Sequence, residues 1–540
     1  MLRSSSRMKF HFKNPIPGLG SPSAFLLVGI LVLGALLRFS TTTQPFTDFF
    51  SWRQTINAMM AENFCHRSWN IFYPEVNWSG PGPGYSGFEF QTVSYIAALF
   101  YMIVGEHEWV GRSVAAFFGL WGIFALYQLV RRIWDEERAL LSAAVMALLP
   151  GSIFIERSFL SDPAMVALMT TSVWMLIVYL QTDRLRFLLL SGVIGTWAVL
   201  TKPPGLVVGF AMLYATLTIL RRRHKLKPRR LGVMGIVAVL GLVPVIAYYL
   251  WARHLGHSYP PYHVSFSGYL LWDQGLKQWW DENYFFGRLV WWFTTSLWTP
   301  PVIVLVALGV IFPFRAVDSE KRTSAVAPWL FHWWLLGMVP LYIVAARELV
   351  LNPQNFHIIN PAAAAVSSDA IMTIASVFAR IVRSSSRALV RTRVIAVSLI
   401  IITVSGTIAL IRMCYPYAQQ GYKLGLALRQ VSQPRDLVIT MANVLGDPIV
   451  IYYSQRRGWL FPPPPTVDVT ELPADDRESI QMFEELRTEG AVWLGIVAAQ
   501  QAKLERDHPL LLAHFQRVCR LYQRNPKWFI YSIKPGTARN

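Results

Sequence analysis

A carboxylate and a guanidinium stand close together just after the first apolar run of the chain. Residues 47–54 read Thr-Asp-Phe-Phe-Ser-Trp-Arg-Gln, so Asp48 and Arg53 flank a group of aromatic side chains. A carboxylate can accept the proton of an attacking hydroxyl when it lies within hydrogen-bond reach. Where a membrane helix emerges into water, this segment favours chemistry on a substrate that is partly lipid and partly water-soluble, with Asp48 as the general base.

Two further acidic residues stand at the ends of apolar runs. Asp162 is followed by Pro163 at the start of one run, and Glu89 precedes another. Ionisable groups close to hydrocarbon are costly, and they usually have a function. We therefore treat both carboxylates as candidate catalytic residues. The alternative for Asp162 is a purely structural ion pair with the nearby Arg157.

Basic side chains at similar positions could hold an anionic group. Lys202 lies in Leu-Thr-Lys-Pro-Pro-Gly, a proline-broken turn between two short apolar runs, where its ammonium could bind a phosphate at the membrane surface. The alternative is that Lys202 only extends its charge to the interface. Arg53, Arg347 and His357 are further candidates for phosphate binding. Trp52 is a candidate for stacking on a sugar, although Trp near span ends commonly anchors a protein at the interface.

Metal and disulfide chemistry stay open. His107 lies between two glutamates and could bind a metal ion, so a divalent metal is an open cofactor and no cofactor is certain. The three cysteines match no metal-ligand spacing. If all three lie outside the cytoplasm, one pair could form a disulfide; they are Cys65, Cys414 and Cys519.

The composition is that of a polytopic membrane protein. Of 540 residues, 54% are hydrophobic and only 15% are charged, and the apolar residues form long runs. The formal net charge of +19 would suggest nucleic acid as the partner of a soluble protein. Here Lys and Arg instead cluster between apolar runs, as membrane orientation requires. No basic face alternates with stacking aromatic residues, so the sequence argues against a nucleic-acid partner and for membrane lipids.

The basic segments determine the predicted topology, because cytoplasmic loops carry an excess of Lys and Arg. We place the N-terminus and every basic segment in the cytoplasm; the segments are residues 131–138, 184–186, 221–230, 315–322 and 380–393. The apolar run at 24–37 ends at Arg38 without a small-residue cleavage pattern. It is therefore predicted to be an uncleaved first span rather than a signal peptide.

One apolar run, residues 90–104, is too short to cross a bilayer comfortably. As a helix it would extend about 22 Å, against about 30 Å of hydrocarbon. Counting it as a span would also place the basic segment at 131–138 outside. We therefore predict an interfacial helix within one long outer loop, residues 41–111. The eleven predicted spans are 22–40, 112–130, 139–156, 163–181, 187–201, 204–220, 231–251, 293–313, 327–346, 358–379 and 394–412.

The composition changes after residue 412. Short apolar runs typical of buried strands alternate there with helical patterns, which indicates an α/β domain. The predicted strands are 436–440, 449–453, 491–494 and 528–531, and the predicted helices are 478–487 and 502–518. We predict a membrane domain, residues 1–412, and a small soluble α/β domain, residues 413–540. Eleven crossings from a cytoplasmic N-terminus place the second domain outside the cytoplasm.

Several motifs together resemble the GT-C class of polytopic glycosyltransferases. The bacterial members concerned are related to protein O-mannosyltransferases and to the lipid A aminoarabinose transferase. The resemblance covers about the first ten spans and is strongest over residues 46–112, where the motifs are Asp-Phe-Phe-Ser-Trp-Arg-Gln-Thr at 48–55, Phe-Tyr-Pro-Glu-Val-Asn-Trp at 72–78, Gly-Phe-Glu-Phe at 87–90 and Gly-Glu-His-Glu-Trp-Val-Gly-Arg at 105–112. Asp162 with Pro163 resembles the second acidic loop of that class.

The resemblance implies an α-helical polytopic fold of GT-C type in a cytoplasmic (inner) membrane. It implies an inverting enzyme that moves a sugar from a polyprenyl-phosphate donor to an acceptor hydroxyl on a lipid, polysaccharide or protein outside the cytoplasm. Asp48 is then the base. Glu89 and Asp162 would help to position the acceptor or an ion. Lys202 and Arg53 would bind the phosphate of the carrier, whose charge grows as the glycosidic bond breaks.

The chain departs from the class at one motif. Related members often carry His-x-Tyr-Tyr before a late proline, whereas residues 355–361 read Asn-Phe-His-Ile-Ile-Asn-Pro and lack the aromatic pair. Two other functions stay open, namely a transporter or flippase of lipid-linked glycans and an inactive relative that binds glycan. A transporter would more naturally show inverted repeats and ionisable groups at mid-membrane. This sequence shows neither clearly.

Overall fold

Apolar helices follow one another up to residue 413 in the computed structural model, which describes residues 21–264, 268–280, 285–313, 326–382, 386–464 and 470–534. The basic residues of the N-terminus and the basic segment at 315–322 lie outside the described residues. In chain order the helices are α1 (Pro22–Phe39), α2 (Ser51–His66), α3 (Thr92–Val104), α4 (Glu108–Ile133), α5 (Glu136–Leu148), α6 (Pro150–Arg157), α7 (Asp162–Thr182), α8 (Leu185–Thr201), α9 (Gly209–Arg222), α10 (Pro228–Ser258), α11 (Leu271–Gln274), α12 (Lys277–Trp280), α13 (Thr299–Ile311), α14 (Leu330–Leu336), α15 (Met338–Leu351), α16 (Asn360–Ile381) and α17 (Arg387–Met413).

Tighter or wider helical turns join some of these helices. Two 3-10 turns begin at prolines and lead into α9 and α16, and two π-helical segments precede α13. Their bounds are Pro203–Val208 and Pro353–Ile359 for the 3-10 turns, and Phe285–Val290 and Phe293–Leu297 for the π-helical segments.

The described residues contain eight helical segments long and apolar enough to cross a membrane. Two bent pairs bring the number to ten: α5 with α6, bent by 62°, and Gly287–Leu297 with α13, bent by 100°. The apolar helix α8 has 17 residues, somewhat fewer than the roughly 20 of a usual span. Each of the eleven predicted spans coincides with one of these segments, so the prediction of an α-helical polytopic membrane protein is confirmed.

The short apolar run forms helix α3, which has only 13 residues. At 1.5 Å per residue it extends about 20 Å, less than the thickness of the hydrocarbon core. Its side chains Phe100, Met102 and Ile103 are exposed, as an interfacial helix requires. The side of the membrane on which α3 lies stays a prediction.

Burial separates a central group of helices from a peripheral one. In the most apolar part of α7, 89% of the residues are buried, against 17% in α1, 11% in α10 and 17% in α17. Helices α4 and α8 both pack against α7. Because the exposed side chains of α1, α10 and α17 are apolar, these three helices present their outer faces to lipid rather than to water.

A mixed five-stranded sheet follows the last long helix. The elements after α17 are α18 (Gln419–Val431), β1 (Leu437–Met441), α19 (Ile449–Ser454), β2 (Arg457–Leu460), α20 (Asp476–Thr488), β3 (Ala491–Val497), α21 (Ala498–Asp507), α22 (Pro509–Val518), β4 (Cys519–Asn525) and β5 (Trp528–Ile533). The strand order is β2-β1-β3-β5-β4. Strand β1 is parallel to β2 and β3, whereas β5 is antiparallel to β3 and β4. The predicted small α/β domain is confirmed as a fold.

One predicted strand of this domain is wrong. Residues 449–453 form helix α19, because a short continuous apolar run does not distinguish a buried strand from a buried helix. The side chain of Asp447 fixes the helical start by accepting a hydrogen bond from the backbone N–H of Ile449 at 3.0 Å. The predicted helix at 502–518 is divided into α21 and α22 before Pro509. Strands β2 and β4 were not predicted, since β2 is short and β4 is polar and exposed.

The α/β domain is tied to the long loop that precedes α3. The backbone N–H of Gly80 donates to the carbonyl oxygen of Gly458 at 2.9 Å, and Nη1 of Arg457 lies 2.8 Å from Oε1 of Glu75. The ring of Trp459 packs so closely on Gly80, which has φ +73°, that a Cβ there would lie 2.6 Å from it. The sheet domain therefore contacts the loop through both backbone and side chains.

The predicted topology can be tested with reporters. Because residues 90–104 are too short to cross, a reporter fused after Gly105 should lie on the same side of the membrane as one fused after Tyr415. Accessibility of both reporters in intact cells and in inverted vesicles measures this. Opposite sides would mean that α3 spans the membrane, and the common-face assignment of the polar residues would fail.

The contact between the two parts of the chain should depend on pH through Asp447. Its Oδ2 accepts a hydrogen bond from Oγ of Ser51 at 2.6 Å, and burial raises the pKa of the Asp447 carboxyl to about 6. The folded protein thus binds this proton more tightly than the unfolded chain, where the pKa is about 3.9. The contribution of this proton to the free energy of unfolding is complete below about pH 4 and is lost as the pH rises through about 6.

We therefore expect the thermal midpoint to decrease from pH 4.5 to pH 7, and Asp447→Asn to reduce that decrease. The exposed Asp507, changed to Asn, is the matched control and should keep the wild-type pH dependence. Differential scanning fluorimetry in detergent measures both. An unchanged pH dependence in Asp447→Asn would contradict the assignment.

Candidate active site

Two proline-started turns bring broken helix ends together on one side of the bundle. Pro203–Val208 follows Lys202 at the end of α8, and Pro353–Ile359 follows Asn352 at the end of α15. Proline cannot supply the N–H that would continue a helix, so each helix stops there. The two turns contact each other, and α7 packs against both. Each break leaves backbone polar groups that a continuous helix would have hydrogen-bonded.

The first pair of charges in this region joins Lys202 and Asp162. The Nζ atom of Lys202 donates to Oδ1 of Asp162 at 2.7 Å, and both side chains are buried. Asp162 stands at the N-terminus of α7 and Lys202 caps the C-terminus of α8. Each charge is opposite in sign to the partial charge of its helix end, so both interactions with the helix dipoles are favourable. The alternative of an ion pair between Asp162 and Arg157 is not what the structure shows, since Asp162 pairs with Lys202, and the two candidate site residues are adjacent.

Glu89 is fixed beside this pair by the backbone. The N–H of Phe90 donates to the carbonyl oxygen of Leu200 at 3.3 Å, and the hydroxyl oxygens of Thr92 and Thr201 lie 2.7 Å apart. The Glu89 side chain is half-buried and makes no ion pair or side-chain hydrogen bond with any described residue. Of the three predicted carboxylates, it has the freest oxygen atoms.

Two tyrosines of α10 donate hydrogen bonds to the chain segments next to Glu89 and Lys202. The hydroxyl of Tyr248 donates to the carbonyl oxygen of Phe88 at 3.2 Å, and that of Tyr249 donates to the carbonyl oxygen of Leu200 at 3.0 Å. The chain segments that carry Glu89 and Lys202 are thus attached to a common helix. Their separation is therefore determined by packing rather than by a flexible loop.

Arg53 and Glu348 complete the charged group. Nη2 of Arg53 donates to Oδ1 of Asn352 at 3.2 Å, and Nδ2 of Asn355 donates to Oε1 of Glu348 at 3.2 Å. Glu348 lies within electrostatic range of Arg53, Lys202 and Glu89. Glu348 is thus coupled to side chains of both signs, and we call Arg53, Glu89, Asp162, Lys202 and Glu348 the helix-end cluster.

His263 lies at the edge of the helix-end cluster. Its carbonyl oxygen accepts a hydrogen bond from the N–H of Gly87 at 3.0 Å, and its ring lies 4.5 Å from that of Phe88. A Cβ at Gly87 would lie 2.3 Å from a carbonyl oxygen of α10, so only glycine permits this approach. Burial lowers the pKa of His263 to about 4, and the charge of Arg53 adds to the effect. The imidazole is therefore neutral near pH 7.

Asp48 lies in a separate, fully buried charge network. Its Oδ2 lies 3.0 Å from Nη2 of Arg112 and 3.1 Å from Nη2 of Arg157. Its Oδ1 accepts hydrogen bonds from Nε2 of Gln54 at 2.7 Å and from the N–H of Phe50 at 3.1 Å. The carboxylate has no exposed surface. Four donors therefore occupy the oxygen atoms that a general base would offer to an acceptor hydroxyl, and the role of Asp48 as the base stays a prediction.

His357 belongs to a third group rather than to the helix-end cluster. Its Nε2 lies 3.1 Å from Oε1 of Glu156, and the other carboxylate oxygen of Glu156 accepts a hydrogen bond from Nε of Arg38 at 2.5 Å. Nδ1 of His357 lies 2.9 Å from Nδ2 of Asn360. All of these side chains are buried. The geometry favours a structural role for His357 over phosphate binding.

The remaining predicted side chains are dispersed. Arg347 contacts the segment before α12, where it donates to Gln274 and lies 5.6 Å from the ring centre of Tyr269. Trp52 is half-buried against the core at the start of α2. The structure therefore brings Arg53, Glu89, Asp162 and Lys202 together and places Arg347 and Trp52 in other surroundings.

The described residues contain no group of three or more His, Cys, Asp and Glu side chains arranged to hold a metal ion. The divalent metal that the sequence leaves open as a cofactor stays a prediction. The cysteines are all free thiols, and Cys414 Sγ accepts a hydrogen bond from Nη1 of Arg157 at 3.3 Å.

Sequence reasoning missed Glu348, His263 and Arg112. Glu348 is adjacent to the predicted Arg347, so its acidic charge at a span end was a usable signal. His263 lies in a long connection after a span, where nothing in the sequence distinguishes it. Arg112 was visible only as part of a motif, and its pairing with Asp48 joins residues 64 positions apart.

Comparison with known proteins identifies the class of the fold. Residues 92–249 match a family described as dolichyl-phosphate-mannose-protein mannosyltransferase. A comparison with curated protein sequences found no significant match. The fold is similar to that of ArnT from Cupriavidus metallidurans bound to undecaprenyl phosphate, with a TM-score of 0.58. The two sequences are 13% identical, and the match covers 95% of this chain and 98% of ArnT. The fold is also similar to that of the oligosaccharyltransferase AglB from Archaeoglobus fulgidus in complex with an inhibitory peptide and a dolichol-phosphate, with a TM-score of 0.56. The sequences are 11% identical, and the match covers 94% of this chain and 74% of AglB.

The chain therefore has the fold of the GT-C glycosyltransferases. The family match over residues 92–249 and the fold shared with ArnT bear out the resemblance that the motifs indicated. The family match extends from the start of α3 into α10. It thus includes Asp162 and Lys202 but neither Asp48 nor Glu89.

The buried network around Asp48 predicts a large loss of stability on neutralisation. Asp48→Asn leaves the guanidinium groups of Arg112 and Arg157 without a counter-ion, which costs about 3–5 kcal/mol when a buried pair is broken. The control is Glu137→Gln, whose side chain is 61% exposed and pairs with Arg391 at the surface. Thermal unfolding of the detergent-purified variants measures the effect. Equal midpoints for the two variants would show that Asp48 is not a structural counter-ion.

Proposed function

We propose that this protein is an inverting glycosyltransferase that uses a polyprenyl-phosphate-linked sugar as donor. The observation that carries the proposal is the buried Lys202–Asp162 pair beside the unpaired Glu89, at the broken helix ends of a GT-C fold. The family match, and relatives of the same fold in complexes with undecaprenyl phosphate and a dolichol-phosphate, support a lipid-linked donor.

Lys202 and Arg53 would bind the phosphate of the donor. As the bond between the anomeric carbon and the phosphate oxygen breaks, its electron pair passes to the phosphate, whose negative charge increases. Fixed cations stabilise that charge without reorganising at the moment of reaction. Asp162 would orient Lys202 through the 2.7 Å hydrogen bond rather than react itself.

Glu89 is the carboxylate that we assign as general base. Inversion requires the acceptor oxygen to attack from the side opposite the departing phosphate, so the base must differ from the groups that hold the phosphate. A half-buried carboxylate without an ion-pair partner can accept the proton of the acceptor hydroxyl, provided that the hydroxyl comes within hydrogen-bond reach. Asp48 remains the alternative base, and the experiment below separates the two.

The reaction would take place at the outer face of the cytoplasmic membrane. The helix-end cluster lies at the opposite ends of α8 and α9 from the basic segments at 184–186 and 221–230. Since basic segments remain in the cytoplasm, the cluster faces outward. A polyprenyl carrier then presents its sugar on the side where envelope acceptors are present.

A transfer assay tests the proposal. The full chain in lipid nanodiscs is supplied with undecaprenyl-phosphate sugars and with cell-envelope lipids, polysaccharides and proteins as acceptors, and labelled product is quantified. Glu89→Gln should lower kcat by about 10²–10⁴-fold, because the acceptor proton has no base. Lys202→Gln should lower kcat/KM more than Glu137→Gln, the exposed control that should transfer like wild type.

Two outcomes would contradict parts of this account. If Glu89→Gln transfers like wild type while a folded Asp48→Asn does not, the base is Asp48. If the wild-type protein moves labelled donor across a vesicle bilayer and transfers sugar to no acceptor, it is a transporter and the proposed function is wrong.

A further inference from the structure

An apolar cavity of about 560 Å³ lies between α7, α8, α9 and α10 and extends from the turn after Lys202 toward the opposite end of α8. At Gly209 and Gly235 an added Cβ would meet no atom within 4 Å, and six glycines in all line the cavity. They are Gly192, Gly195, Gly205, Gly209, Gly235 and Gly241. The rest of the lining is mainly Leu, Met, Val and small hydroxyl side chains. Such a volume is typical of a ligand pocket rather than of a packing defect.

The cavity is bordered by side chains that face hydrocarbon. Leu206, Leu213 and Leu217 all line it, and they are 52%, 59% and 42% exposed in the isolated chain. In a bilayer these side chains contact lipid, so an acyl chain can enter from the side. Water would gain few hydrogen bonds there.

One end of the cavity reaches a strongly basic surface. Leu188, Leu217 and Leu231 line this end, and each is within four residues of an arginine. Residues 221–230 contain seven Lys and Arg and no acidic residue. Asp183 is the nearby carboxylate, and it is already paired with Arg223 at 3.0 Å and with Arg230 at 2.6 Å.

The basic side chains thus exceed what Asp183 can neutralise. Arg221, Lys227 and Arg229 are exposed at the same surface. Basic residues that only set the orientation of the protein in the membrane would not need an adjacent cavity. A basic surface that continues into an apolar, glycine-lined cavity is instead complementary to an amphiphile with an anionic head.

We propose that the cavity and the basic segment at 221–230 form a binding site for an anionic diacyl phospholipid of the leaflet opposite the helix-end cluster. One acyl chain fills the space between α7, α8, α9 and α10, and the phosphate contacts Arg221, Lys227 and Arg229. The site does not depend on the proposed reaction. The donor carrier differs from this lipid in the place of its phosphate, which would be at Lys202, at the other end of α8.

The site can be tested by filling the cavity. An added Cβ meets no atom within 4 Å at Gly209 or at Gly235, so Gly209→Leu with Gly235→Leu adds bulk at the cavity lining from positions where the Cβ itself has no neighbour. The matched control is Gly29→Leu with Gly232→Leu, two glycines that also have no atom within 4 Å but do not line the cavity. Native mass spectrometry and thermal shift of the full chain in detergent then report binding of phosphatidylglycerol, phosphatidylcholine and undecaprenyl phosphate.

We expect wild type and the control to retain phosphatidylglycerol over phosphatidylcholine, and the filled variant to lose that retention. Arg221→Gln with Lys227→Gln and Arg229→Gln should weaken phosphatidylglycerol binding by at least about tenfold. The charge control is Arg435→Gln with Arg520→Gln and Lys527→Gln, three exposed cations of the α/β domain. Undecaprenyl phosphate binding should be unchanged in all of these variants.

Either of two results would overturn the proposal. Unchanged phosphatidylglycerol binding in both the filled variant and the charge variant would mean that the basic segment serves orientation only. Loss of undecaprenyl phosphate binding in the filled variant, with phosphatidylglycerol retained, would mean that the cavity holds the carrier instead. The charge variant keeps the test informative if the filled variant does not fold.

Discussion

The burial of Asp48 between two guanidinium groups is the constraint on which the rest of the structure depends. Arg112 belongs to α4 and Arg157 ends α6, so one carboxylate joins two helices to the loop before α2. Buried arginines without a counter-ion would be strongly unfavourable. The pair of Arg38 with Glu156 joins α1 to α6 in the same way. Together these contacts fix the polar ends of the central helices, against which the first loop and the α/β domain pack.

This constraint separates two kinds of charged residue that resemble each other in the sequence. Asp48, Glu156 and His357 have their polar atoms directed at fixed partners, which stabilise the fold whether or not Asp48 also acts as the base. Among the described residues Glu89 has no such partner, and its neighbours in the chain are held by contacts with Leu200 and α10. A carboxylate that is positioned by its neighbours but not neutralised by them is suited to proton transfer. The proposed role of Glu89 as the base therefore follows from its lack of an ion-pair partner among the described residues.

Much of the membrane architecture was predictable, because hydropathy and charge act along the chain. The runs that became α1, α7, α10 and α17 are long and apolar enough to be recognised without any tertiary contact. The partners of charged side chains were not predictable in this way, since Arg38 and Glu156 are 118 residues apart. The sequence offered Arg157 as the nearest possible partner of Asp162, whereas in the structure Lys202, before the turn at Pro203, pairs with it. Residues 449–453 were assigned to a strand because a buried run of five apolar residues carries no helical or strand period.

The central claim is that the helix-end cluster binds the donor phosphate, and a cryo-EM structure of the full chain with an undecaprenyl-phosphate sugar tests it most directly. The account predicts phosphate density about 3 Å from Nζ of Lys202, with the sugar on the side of Glu89. Phosphate density beside His357, or at the basic segment 221–230, would contradict it.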